Sequence, residues 1–212
     1  MGEGAMRIVR TLDDVEEGAR WLAANDPALA AALELAGPLP LRRKPDGFAA
    51  LLSAIVGQQV SVAAAAAIWK RLIDAKLTGP RKIMRASDDD LRAAGLSRQK
   101  IRYARSLVEA RIDFAALRDA PTAEVVGVLT QVPGIGVWTA EIYAMFSLGH
   151  ADVFAPGDLA LQEGARMVLD LPERPKEREL RAIAERWSPW RSVAARLLWA
   201  HYAREKRREG IR

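Results

Sequence analysis

TQVPGIGVWTAEIYAMF, residues 130–146, reads as two helices joined by a hairpin. A helical pattern runs into Pro133, the chain turns through Gly134, Ile135 and Gly136, and a second helical pattern starts near Val137. Two glycines around one apolar residue suit a tight turn, because glycine accepts positive φ and lets other groups approach the backbone. The amides of Gly136, Val137 and Trp138 then lie at a helix N-terminus, where N–H groups and the dipole attract an anion such as a phosphate. The same pattern also serves as a plain corner between helices in a protein of any function.

Working outward, the composition is rich in Ala, Leu, Arg and Glu with few β-branched runs, which favours an all-α protein. A chain of 212 residues can form one large or two small domains. The absence of cysteine excludes disulfides, thiolate zinc sites and a cysteine-ligated iron–sulfur cluster, and it suits an intracellular protein. No apolar run reaches membrane-spanning length, and the opening MGEGAMRIVR lacks a signal-peptide core, so a cytoplasmic protein (with the nucleoid if bacterial) is expected, with no membrane partner. The net charge of +5 and a pI near 9.8 tilt toward a polyanionic partner without identifying one.

Residues 11–36 read as two short helices parted at Asn25-Asp26-Pro27, and the Pro- and Arg-rich 37–45 as a boundary. An amphipathic helix is expected over 47–57, then a break at Gln58 and Gln59, then a helix capped by Ser61. Two glutamines at a helix break make a polar turn; they also make a pair of long amides able to enter a groove and fill the space of a displaced base. The helix predicted from 98 to 111 turns Arg98, Lys100, Arg102 and Arg105 outward. Beyond the hairpin, a helix is expected from Trp138 to Leu148, then a loop, then a helix from about Leu159. The basic tail from Ala203 reads as frayed.

Asp158 opens that last-named helix. Taken alone it is an N-cap. Placed about twenty residues after a phosphate-binding hairpin, it can also face the sugar of the same strand. A fixed carboxylate beside C1′ stabilises an oxocarbenium-like centre as a base departs.

VPGIGVWTA at 132–140, followed by DVFAPGDLAL at 152–161, resembles the hairpin and catalytic aspartate of the helix-hairpin-helix DNA glycosylase superfamily. FAALLSAIVGQQVSVAAA at 48–65, GLSRQKIRYARSLVEA at 95–110 and ERWSPWRSVAARLLWAHY at 185–202 resemble further segments in the same order, as found in the 3-methyladenine DNA glycosylase II (alkylbase DNA glycosylase) group. The resemblance implies an all-α fold of two helical subdomains flanking a DNA-binding cleft, with the helix-hairpin-helix at their junction. Residues 1–45 and 151–212 would form one subdomain, carrying the catalytic Asp, and 46–150 the other; the N-terminal sheet domain of that group has no room before residue 46. It further implies Asp158 as the catalytic residue and Trp138 and Trp199 in the base pocket. Tyr143 lies one place from a third pocket position, which falls on Ile142. Gln58, Gln59, Gly134, Ile135, Gly136 and Thr139 are implied as DNA-binding, with Gln59 at the wedge. No cofactor would be required, while carbonyls of Thr130, Val132 and Ile135 would hold a monovalent cation, Na or K. The expected partner is double-stranded DNA containing alkylated bases, bound by a monomer.

The residue types suit that chemistry. A purine alkylated at N3 or N7 is cationic, and each tryptophan face attracts such a charge by about 1–2 kcal/mol once desolvated. A cationic base leaves without a general acid, so one carboxylate suffices where sugar hydrolases use two; Asp152 and Glu163 read as surface groups. Bifunctional relatives place a lysine just after the hairpin, where it forms a Schiff base. Here that position is Trp138, which implies base release without strand cleavage. His150 and His201 are too few for a histidine metal site. The competing readings are a non-catalytic helix-hairpin-helix DNA-binding module, which has no need of Asp158, and a glycosylase for a deaminated base.

Overall fold

A computed structural model of the protein describes residues 6–209, and among them the regular elements are helices; extended pairing is limited to an isolated antiparallel bridge between Ile8 and His150. The chain divides into two units, residues 1–43 with 144–212, and residues 44–143. In the first unit, α1 (Leu12–Asn25) opens on a reciprocal cap: the Asp14 amide donates to the Thr11 hydroxyl, and the Thr11 amide donates to the Asp14 carboxylate. Asp26 caps α2 (Pro27–Ala36) through Oδ1, which accepts the amides of Ala28 and Leu29. Its Oδ2 accepts the buried Trp187 indole N–H at 2.9 Å.

The second unit runs from α3 (Phe48–Gly57) through α4 (Val62–Asp74), α5 (Pro80–Arg85), α6 (Asp88–Ala93), α7 (Arg98–Glu109), α8 (Phe114–Asp119) and α9 (Thr122–Thr130) to α10 (Val137–Tyr143). Leu51, Leu52, Ile55 and Val56 of α3 are buried, as are Leu72, Ile83, Leu91, Leu107 and Leu129 of the helices around it. Each such side chain contributes about 1.5–3 kcal/mol by leaving water. On α7 the outward basic face is only half as expected. Arg98 and Arg102 are exposed, but the Lys100 ammonium donates to the Val56 carbonyl at 2.6 Å, and Arg105 donates to the Ala86 carbonyl at 3.0 Å and to Asp88 at 2.7 Å. Both cations sit at the C-terminal carbonyls of neighbouring helices, where the dipole favours positive charge and a long stem can reach.

After Tyr143 the helix continues as a π turn, Ala144–Leu148, and the chain joins the first unit. The segment behind it is sewn to the N-terminal stretch and to the last helix: Val9 N–H donates to Gly149 O, Ala151 N–H to Arg7 O, and Ser192 N–H to Ala151 O. The division falls at 143/144, where 150/151 was expected, and Gly149, between the two, accepts the Val9 amide of the first unit. There follow α11 (Leu159–Val168), α12 (Glu177–Ala184), a 3₁₀ turn at Glu185–Trp187, a cis Ser188–Pro189 bond, and α13 (Arg191–Glu209). The tail expected to fray is helical as far as Glu209. Asp152 is no mere surface group: it accepts Arg191 Nε at 2.6 Å and the Ser188 hydroxyl at 2.8 Å, anchoring the start of α13.

Candidate active site

Asp158 caps α11. Its Oδ1 accepts the amides of Ala160 at 2.9 Å and Leu161 at 3.0 Å. Helix α13 runs close beside α11 because residue 164 is glycine: a Cβ there would stand 2.7 Å from the Leu198 carbonyl oxygen. The next residue, Trp199, thereby brings its indole Nε1 to 3.2 Å from Asp158 Oδ1. Three N–H donors converge on one carboxylate oxygen and fix the plane of the group.

Phe146, in the π turn, packs against Trp199 with ring centroids 5.7 Å apart and planes at 33°. The Arg196 guanidinium lies 5.0 Å from the centre of the Phe146 ring. Arg196 is fully buried and donates to the carbonyls of Ser192 and Leu41. Burial, with the charges of Arg42 and Arg43, lowers its pKa to about 10, so it stays cationic at neutral pH. A carboxylate held against the Trp199 indole can stabilise positive charge developing on a neighbouring sugar. Phe146 was missed in the sequence because its place follows from the π turn, whose extra residue rotates the following side chains off a 3.6-residue repeat.

The hairpin belongs to the other unit. Ile135 and Val132 are buried anchors, and the Ile135 amide donates to Val132 O at 3.0 Å. Gly134 has φ +93°, and a Cβ on it would lie 2.3 Å from Tyr103 Cγ, so glycine is required on both counts. Gly136 accepts the Ala140 amide and so caps α10; a Cβ there would meet nothing within 4 Å, leaving its outer face open. Gln58 donates its side-chain amide to Gly134 O at 2.7 Å, while Gln59 is exposed with φ +56°. A groove of about 690 Å³ runs along this side, lined by Gln58, Gln59, Lys100, Tyr103 and the hairpin glycines.

Trp138, on α10, is 46% exposed. Two expected site residues do not present themselves to a ligand. Thr139 is buried in the first turn of α10. Tyr143 is 4% exposed, and its hydroxyl accepts the Gly47 amide at 2.8 Å, which ties the start of α3 to α10. Burial raises the pKa of this phenol and keeps it protonated. Both lie on the inner side of α10, a consequence of where the hairpin sets the phase of the helix. His150 is buried, and burial, aided by the Arg43 charge, lowers its pKa to about 4, so it is neutral at pH 7. Among the described residues no His, Cys, Asp and Glu side chains cluster to hold a metal ion, and no helix is long and apolar enough to cross a membrane.

A helix-hairpin-helix, together with an aspartate capping a later helix beside aromatic rings, defines a class. The chain belongs to the HhH-GPD superfamily of base excision DNA repair proteins, whose sequence profile matches residues 52–189. Among individual proteins it is similar to DNA-3-methyladenine glycosylase 1 of Schizosaccharomyces pombe, 32% identical over 165 residues that cover 74% of this chain and 72% of the relative. The solved structure of DNA-3-methyladenine glycosidase from Bacillus halodurans superposes with a TM-score of 0.81 at 38% identity, covering 90% of this chain and 91% of that one. A 3-methyladenine DNA glycosylase of S. pombe, solved in complex with abasic DNA, superposes with a TM-score of 0.75 at 29% identity, covering 86% and 95% of the two chains.

Proposed function

We propose that the protein is a monofunctional DNA glycosylase of base excision repair, which flips alkylated bases of the 3-methyladenine and 7-methylguanine type out of duplex DNA and hydrolyses the N-glycosidic bond to leave an abasic site. The observation that carries this reading is the Asp158 carboxylate, pinned at Oδ1 by two main-chain amides and the Trp199 indole, in a chain whose relatives bear the name of that activity.

A damaged, weakly paired base costs least to extrude. The cationic base is received on aromatic faces, for which Trp199 and Trp138 are the candidates, with Phe146 backing Trp199. As the C1′–N bond breaks, its electron pair leaves with the base and positive charge grows on the sugar. Asp158 stabilises that charge and orients the water whose oxygen bonds to C1′ while its proton passes by way of the carboxylate to solvent. The hairpin amides hold a phosphate of the lesion strand, as oriented N–H groups at a helix start do. Carbonyls of Thr130, Val132 and Ile135 are the groups that would hold a monovalent cation beneath that phosphate; three neutral oxygens suit an alkali ion, and Val132 O spends one lone pair on the Ile135 amide and keeps another.

The test is base release from duplexes carrying 3-methyladenine, 7-methylguanine, 1-methyladenine, hypoxanthine or uracil. Release confined to the alkylated bases is the expected result. Release of uracil alone would reassign the lesion class, and DNA binding without release of any base would leave a binding module. Because Trp138 stands where a Schiff-base lysine would be needed, borohydride should trap no covalent protein–DNA adduct; a trapped adduct would overturn the monofunctional assignment.

A further inference from the structure

The two glutamines at 58 and 59 are adjacent in sequence but differ in their surroundings. The Gln58 side chain is half-buried, and its amide nitrogen is committed to Gly134 O at 2.7 Å. The loop is held from its other side as well, since the Lys100 ammonium caps α3 at Val56 O. Gly134 itself rests on the Tyr103 ring, and Gln99 donates to the Tyr103 hydroxyl at 2.6 Å. Loop, hairpin and α7 therefore form one braced assembly inside the second unit. Gln59 stands at its rim, exposed and in the left-handed region at φ +56°. That conformation, one residue past the C-cap of α3, is the left-handed turn with which helices commonly end.

We infer that Gln58 is a positioning residue that latches the wedge loop to the hairpin, and that Gln59 alone of the pair enters the duplex. The inference rests on the glycosylase reading and deepens it. When a base is extruded, the gap it leaves must be filled by a side chain set at a fixed distance from the phosphate the hairpin holds. The Gln58–Gly134 bond fixes that distance, because it joins the wedge loop directly to the phosphate-binding turn. A loop without the bond samples other positions and fills the gap for part of the time. The loss then falls on extrusion and not on bond cleavage.

The test is single-turnover base release by Gln58→Ala and Gln58→Met on two duplexes. In one, 7-methylguanine is paired with cytosine; in the other, it lies opposite an abasic analogue, where there is no partner base to separate from. Methionine keeps the length of glutamine and lacks the amide donor. Both variants should be about 3- to 10-fold slower than wild type on the paired duplex, the worth of one neutral hydrogen bond. On the unpaired duplex the difference should vanish. Gln59→Ala should show the same pattern. Equal slowing on both duplexes, full activity in Gln58→Met, or no slowing at all would overturn the latch. Wild type that releases base from neither duplex would overturn the glycosylase reading beneath it.

Discussion

The two glycines of the hairpin should fail in opposite ways when each becomes alanine. At Gly134 the backbone is left-handed, and a new Cβ would stand 2.3 Å from Tyr103 Cγ and 2.9 Å from Tyr103 Cβ. The left-handed conformation costs a non-glycine residue about 1–2 kcal/mol, and crowding a packed ring adds about 1–3 kcal/mol. The sum, about 2–5 kcal/mol, is a large share of the roughly 5–15 kcal/mol that holds a protein folded. At about 2–4 °C per kcal/mol for a chain of this length, Gly134→Ala should lower Tm by about 4–20 °C. At Gly136 a Cβ meets nothing, so the cost is that of a poorer N-cap, about 0.5–1 kcal/mol. Gly136→Ala should therefore melt within about 4 °C of wild type. If the hairpin amides hold a phosphate as proposed, the alanine Cβ would crowd the approach of the phosphate oxygen. Loss of one charged hydrogen bond, about 1.5–3 kcal/mol, corresponds to a fall in affinity of about 10- to 100-fold. Thermal melting followed by fluorescence anisotropy with an abasic-analogue duplex separates the two effects. A Gly134→Ala protein as stable as wild type would refute the packing argument. A stable Gly136→Ala protein that binds DNA as wild type does would refute the phosphate role.

Three further outcomes follow from the first unit. His150 is held neutral with a pKa near 4 against 6.5 for an ordinary histidine, so between those values the unfolded chain binds the extra proton and stability falls as pH falls, by about 3 kcal/mol in all. Urea midpoints at pH 7 and pH 4 should show this loss, and His150→Gln should flatten the slope in that window; an unchanged slope would acquit His150. Asp26→Ala removes a cap worth about 1 kcal/mol and orphans a buried indole N–H at about 1–3 kcal/mol, giving about 2–4 kcal/mol in chemical unfolding. Asp26→Asn keeps one oxygen for the cap but turns a donor NH2 toward the indole, so it should still lose the buried bond, about 1–3 kcal/mol, while sparing the cap; losses equal to those of Asp26→Ala would refute the double role. Trp199→Phe keeps a ring but loses the donor to Asp158, and kcat should drop about 10- to 100-fold with DNA affinity little changed. An unchanged kcat would mean that the indole does not orient the carboxylate.

The helix starts were legible in the sequence because capping is local chemistry. Ser61 and Asp158, read as caps, cap the helices they precede, and the break at Asn25-Asp26-Pro27 falls where α1 ends and α2 begins. The short helices α5 and α8, six residues each, were not, since one and a half turns show no apolar repeat. Asp158 and Trp199 were each singled out, but not the bond between them, which spans 41 positions and depends on the close passage that Gly164 permits. Tyr143 and Thr139 were assigned to a ligand from their place in a motif, whereas burial depends on the phase of α10. Lys100 and Arg105 read as solvated charge for the same reason: sequence gives a side chain's reach but not the carbonyl it finds.

The central claim is that Asp158 performs the chemistry and does not merely cap a helix. Asparagine keeps an oxygen for the Ala160 and Leu161 amides, so Asp158→Asn should preserve the fold. The measurement is the single-turnover rate of 7-methylguanine release by this variant, with its affinity for an abasic-analogue duplex measured alongside. The account predicts binding close to wild type and a rate reduced by at least about 100-fold, the scale of losing the main electrostatic stabiliser of a transition state. Base release at the wild-type rate by a folded, DNA-bound Asp158→Asn protein would contradict it.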